Sequence, residues 1–82
     1  MLEAHRKHPI FGLTDDEAGE LAGLDRDTWG KRGADLRRLG LIEWMREDDG
    51  TIMRRRRPNG RSSGVSIITS DGIAALRTAV AS

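Results

Sequence analysis

The stretch that most constrains this chain is Leu24 to Ile42, LDRDTWGKRGADLRRLGLI, because it contains both a helix and the signal that ends it. On a helical wheel Trp29, Gly33, Leu36 and, less centrally, Leu39 gather on one side. Thr28, Lys31, Asp35 and Arg38 fall on the other, with Arg32 and Arg37 at the flanks. One face therefore seeks a core and the other a polar partner. Gly40 is free to take the left-handed conformation that stops a helix, and Leu41-Ile42 then opens an extended apolar segment. The pattern predicts a helix over 25–39 that runs directly into a strand. Gly30 and Gly33 each lower helix propensity by about 1 kcal/mol relative to Ala, so each calls for a compensating reason. Room for the bulky Trp29 is the expectation at Gly33, and close approach of a backbone or a DNA strand at Gly30, with an irregular helix start as the alternative for both.

Upstream, residues 2–7 have helical propensity and are stopped by Pro9. His5 and His8 lie three apart, but with no cysteine and no third histidine they read as exposed neighbours of Arg6 and Lys7 rather than metal ligands. After the apolar link Ile10 to Leu13, Thr14 and Glu17 have the spacing of a capping box, which starts a helix at Asp15. Asp15, Asp16 and Glu17 then suit the positive end of a helix dipole better than acid–base catalysis. Ala18, Leu21 and Ala22 form a narrow apolar stripe, Gly23 ends the helix, and Leu24 fills the corner. Asp25 or Asp27 caps the next helix, so two helices cross at a tight, glycine-containing turn.

Downstream of Gly40 the periodicity becomes extended, with Ile42 and Trp44 on one side of a strand. Glu47 to Gly50 is a turn signal, and Thr51 to Met53 can return as a strand. Arg54 to Arg57 follow without interruption, and Pro58 to Gly64 reads as a mobile loop. Val65 to Thr69, β-branched and flanked by turn residues, is the strongest strand signal and is expected to pair with the strand at Leu41. Ser70 or Asp71 then caps a last helix over 72–79, with Ile73, Leu76 and Val80 closing the core. The whole, 1–82, is one α+β domain.

No cysteine is present, so disulfides and thiolate metal sites are excluded and stability must come from packing. No apolar run approaches membrane-spanning length and the N-terminus lacks signal-peptide order, which predicts a cytoplasmic protein without membrane contact. The net charge of +1 conceals an uneven distribution. Residues 1–50 hold eight basic and twelve acidic side chains (8 − 12 = −4), whereas residues 51–82 hold six and one (6 − 1 = +5). A basic final third points to an anionic partner. Enzymatic activity is not expected, since neither a nucleophile with its base, nor a phosphate-cradling loop after a strand, nor a metal set is recognisable.

The element order, and residues 13–76 in particular, resembles the winged helix-turn-helix DNA-binding domains, above all small MarR-like and bacteriophage-type versions. The segments that carry the resemblance are LTDDEAGELAGLDRDTW, LRRLGLIE and SIITSDGIAAL. The resemblance implies three short helices, a two- to three-stranded antiparallel wing and a C-terminal helix. It implies a bacterial or phage-infected host cell, a double-stranded DNA partner with helix 25–39 in the major groove, and no cofactor. Thr28, Lys31, Arg32, Asp35 and Arg38 would then be the groove-facing set. Arg54, Arg55, Arg56, Arg57, Asn59 and Arg61, in the basic wing 54–64, would lie on the backbone or minor groove. A transcriptional regulator or a recombination accessory factor would fit, with two copies binding as a homodimer or side by side. The main rival is the same fold used as a protein-interaction module, and an exposed Trp44 beside Met45 and Met53 would favour it.

Overall fold

The computed structural model describes residues 1–56, 60 and 62–81, and side chains as far as residue 78. Among them are four helices and two short antiparallel sheets, an α+β arrangement. Helix α1 spans Leu2–Lys7, α2 Asp15–Leu21, α3 Arg26–Arg38 and α4 Ser70–Ala81. Strands β1 (Ile42–Trp44) and β4 (Ser66–Ile68) form one sheet, and β2 (Arg54–Arg56) and β3 (Ser62–Gly64) the other. None of these helices is long and apolar enough to cross a membrane.

The capping box at the start of α2 is fully formed: the Glu17 backbone N–H donates to Thr14 Oγ1 at 3.2 Å, and the Thr14 N–H donates to Glu17 Oε1 at 2.9 Å. Gly23, at φ +72°, ends the helix, and the turn is held from inside by Trp29, whose Nε1 donates to the Leu24 carbonyl at 2.8 Å. The crossing of α2 and α3 is set by Gly19, where a Cβ would lie 2.1 Å from the Trp29 ring. Two expectations for the apolar faces fail. Leu21 and Ala22 are exposed, so the buried side of α2 consists of Ala18 and Gly19. Leu39, 68% exposed, is also outside, because at 100° per residue it lies about 60° from Leu36 and within about 40° of Thr28 and Asp35.

β1 and β4 pair as expected, with Ile42 opposite Ile68 and Trp44 opposite Ser66. Leu13 joins the far side of β4, exchanging backbone hydrogen bonds of 2.9 and 2.8 Å with Ser66. Past Trp44 the strands meet in a closed ring: Met45 N–H donates to Val65 O (2.8 Å), Val65 N–H to Met53 O (2.9 Å), and Met53 N–H to Met45 O (2.8 Å). Two hairpins leave this ring. One is short and acidic, turning through Glu47 to Gly50 with Arg46 opposite Ile52. The other is basic, built from β2 and β3 with Arg54 opposite Gly64. The returning strand thus lies at Arg54 to Arg56 rather than at Thr51 to Met53, and Ser62 to Gly64 is a strand where a loop was expected. The ladder explains this, because once Met53 and Val65 are paired, the residues beyond them continue in register.

Ala4, Leu13, Ala18, Ile42, Val65 and Ile68 form the buried apolar interior. His5 joins them at 0% exposure, contrary to the expectation of an exposed histidine. Its Nδ1 donates to the Met1 carbonyl at 3.1 Å, while Nε2 has no hydrogen-bond partner among the described residues. Desolvation holds its pKa below the ordinary value, favouring the neutral ring. At the other end of the chain, Thr69 replaces the expected Ser70 or Asp71 as the cap. Its Oγ1 accepts from Gly72 N–H at 3.0 Å and donates to the Gly40 carbonyl at 2.6 Å. Ile73 is exposed rather than closing the core, Leu76 is half-buried, and the Val80 side chain lies outside the described residues.

Candidate nucleic-acid interface

The candidate surface is the outer face of α3 together with the β2–β3 hairpin. Gly40, at φ +74°, turns the chain out of α3, and the Thr69 hydroxyl on its carbonyl fixes the exit into β1. Asp25 occupies the N-cap without a side-chain cap bond, and its carbonyl instead accepts from the Thr28 hydroxyl at 2.8 Å. Thr28 therefore stays half-buried against its own turn. Lys31, Arg32 and Arg38 are exposed. Asp35 and Arg38 pair with each other one turn apart, so two residues expected to read separate bases are coupled in the free protein. Arg32, Asp35 and Arg38 also rim a groove of about 680 Å³ that has Met1, Leu2, Leu24, Leu36 and Leu39 in its walls. Thr28 and Lys31 do not line it.

Arg37, placed at the flank by sequence, is part of the interior. Both its terminal nitrogens donate to the Asp15 carboxylate at 3.0 Å, Nη1 also reaches Ser66 Oγ at 3.1 Å, and Cζ lies 3.8 Å from the Trp44 ring centroid. A signal for this was available: Arg37 follows Gly33 by four residues and so shares its inward face. Gly33 does not accommodate Trp29 as expected. It accommodates Asp15, whose carboxylate atoms would lie 2.3 to 2.5 Å from a Cβ there. Trp44 is half-buried beneath Arg37 and against Gly64, so it is packing rather than an exposed patch with Met45 and Met53. Comparison of the chain with protein families, with curated proteins and with solved structures yields no match.

In the basic hairpin the strand alternation sorts the arginines. Arg54 and Arg56 point to solvent, whereas Arg55 turns inward, Nη1 donating to Glu17 Oε1 at 2.5 Å and Nη2 to the Phe11 carbonyl at 2.9 Å. Arg55 is thus not presented as the wing contact that sequence suggested. Burial raises the Glu17 carboxyl, but the Arg55 hydrogen bond, the Thr14 backbone N–H and the Arg55 charge together hold it below its ordinary value. Arg57, Asn59 and Arg61 lie outside the described residues. Among the described residues no group of three His, Cys, Asp or Glu side chains is placed to hold a metal ion.

Proposed function

We propose that this chain is a winged helix-turn-helix domain that binds double-stranded DNA, with α3 in the major groove and the β2–β3 hairpin on the adjacent backbone or minor groove. The observation that carries the reading is the separation of roles among the basic residues. Arg37 and Arg55 are held by carboxylates of α2, while Lys31, Arg32 and Arg38 on α3 and Arg54 and Arg56 on the hairpin are exposed. The connectivity supports it too: two crossing helices, a glycine exit into β1, and a basic hairpin before the return strand β4. A small regulator or a recombination accessory factor is the role that fits. Lys31 and Arg32 suit phosphate or guanine contacts, and Arg38 becomes available to a base when its pairing with Asp35 opens.

The test is a salt titration of binding to random duplex DNA by fluorescence anisotropy. With Lys31, Arg32, Arg54 and Arg56 on phosphates, log K falls with log salt at a slope of roughly −3.6, and the Arg54→Gln/Arg56→Gln variant flattens it by about 1.8. Absence of binding at low salt and tens of micromolar protein refutes the reading, because nonspecific affinity alone lies near about 10⁻⁴ to 10⁻⁶ M. A protein-interaction role is favoured by a different observation. Ile10 and Phe11, 75% and 78% exposed, and Leu21 are large apolar side chains on the surface, and Phe11 and Leu21 line one groove of about 630 Å³. If DNA binding fails, that groove is the surface to probe.

A further inference from the structure

The two elements assigned to DNA are anchored to the same place. Asp15 and Glu17, two residues apart in the first turn of α2, each hold one arginine: Asp15 holds Arg37 from the last turn of α3, and Glu17 holds Arg55 from the middle of β2. Both carboxylates are themselves fixed. Asp15 is seated against Gly33, and Glu17 Oε1 also accepts the Thr14 N–H within a capping box whose threonine is fully buried. The Arg55 guanidinium has one further anchor, since its second nitrogen binds the Phe11 carbonyl in the segment leading to Leu13. Besides Arg55, the described base of the hairpin is held by the backbone ring at Met45, Met53 and Val65 and by Gly64 against the Trp44 ring.

We propose that the first turn of α2 sets the relative pose of α3 and the basic hairpin, and that Arg55 and Glu17 are positioning residues for DNA binding rather than a phosphate contact and a repulsive surface charge. This rests on the DNA-binding reading above. A hairpin fixed beforehand loses less conformational freedom on binding, so the pair raises affinity without touching the ligand. The consequence is opposite to simple electrostatics. Removing the Glu17 charge beside a polyanion ought to strengthen binding, yet here it loosens the hold on Arg55 and weakens it.

The experiment compares Arg55→Gln, Glu17→Gln and their double variant with Arg54→Gln and Arg56→Gln, all in the full chain, by anisotropy on random duplex DNA across a salt series. Gln at position 17 keeps the capping box, so α2 is retained. Arg55→Gln and Glu17→Gln are each expected to weaken binding about two- to tenfold, the double variant by less than the two effects combined, with the salt slope unchanged. Arg54→Gln and Arg56→Gln should each reduce the slope by about 0.9. Tighter binding by Glu17→Gln, or a slope loss of about 0.9 in Arg55→Gln, overturns the proposal. Amide hydrogen exchange gives a readout independent of DNA. Faster exchange in β2 and β3 with α3 unchanged, in both single variants, upholds the anchor even if the wild type fails to bind DNA and the functional reading falls; unchanged hairpin exchange overturns the anchor itself.

Discussion

Gly30 and Gly33 sit three residues apart in the same helix, yet substituting alanine at each should move stability in opposite directions. Replacing a mid-helix glycine with alanine is worth about 1 kcal/mol when the new methyl meets nothing. At Gly30 nothing lies within 4 Å of the added Cβ, so Gly30→Ala should stabilise by up to about 1 kcal/mol. At Gly33 the same methyl would sit 2.3 Å from Asp15 Oδ1, and the carboxylate must leave its position. That disrupts a bidentate pair whose side chains are only 16% and 20% exposed. Removing a partner from a largely buried pair costs about 3–5 kcal/mol, and partial solvent access together with the remaining Ser66 contact brings this to about 2–3. Set against the propensity gain, Gly33→Ala should lose about 1–2 kcal/mol, or roughly 5–15 °C in Tm for a domain of this size. Urea unfolding followed by far-UV circular dichroism reads both variants. An Asp15→Ala background removes the obstacle, so there Gly33→Ala should become stabilising. If Gly33→Ala stabilises the wild-type chain as much as Gly30→Ala does, the Asp15–Arg37 contact does not constrain α3 and the reasoning is refuted.

His5 gives the fold a pH dependence of definite sign. Its folded-state pKa lies below the unfolded value of 6.5, so between the two the unfolded chain binds more protons; stability is complete above 6.5 and falls as the pH drops towards the folded value. The unfolding free energy from urea titrations should decline over that interval by at most about 1.4 kcal/mol per pH unit, and His5→Leu should flatten it. Glu17 acts lower down: its stabilisation is present above the unfolded value of 4.5 and is lost as pH falls through its depressed folded value, so Glu17→Gln should lower the plateau above that value and flatten the acid limb of the curve. Thr69→Ala removes both the cap of α4 and the bond to the Gly40 carbonyl, and should cost about 1–2 kcal/mol, most of it recovered by Thr69→Ser.

Local patterns in the sequence were sufficient for the elements whose cause is local. The capping box at Thr14 and Glu17, the glycine stops at Gly23 and Gly40, and the β-branched run at Val65 to Thr69 each specify their structure within a few residues, and each is found where the residues place it. The exposure of Lys31, Arg32, Arg54 and Arg56 was equally legible, since charged side chains remain in water unless something pairs with them. Pairing is what only the tertiary structure decided. Arg37 and Arg55 have the same chemistry as their exposed neighbours, but carboxylates 22 and 38 residues away turn them back onto the fold. Gly19 and Gly33 are small because Trp29 and Asp15 arrive from elsewhere in the chain. The basic hairpin owes its register to the backbone ring joining Met45, Met53 and Val65, and no run of residues encodes a three-way meeting of strands. Short-range signals act through backbone conformation and helical phase, which a sequence displays directly. The pose of the candidate interface depends instead on carboxylates and arginines brought together by chain folding, and their contact exists only once α2, α3 and the hairpin have packed.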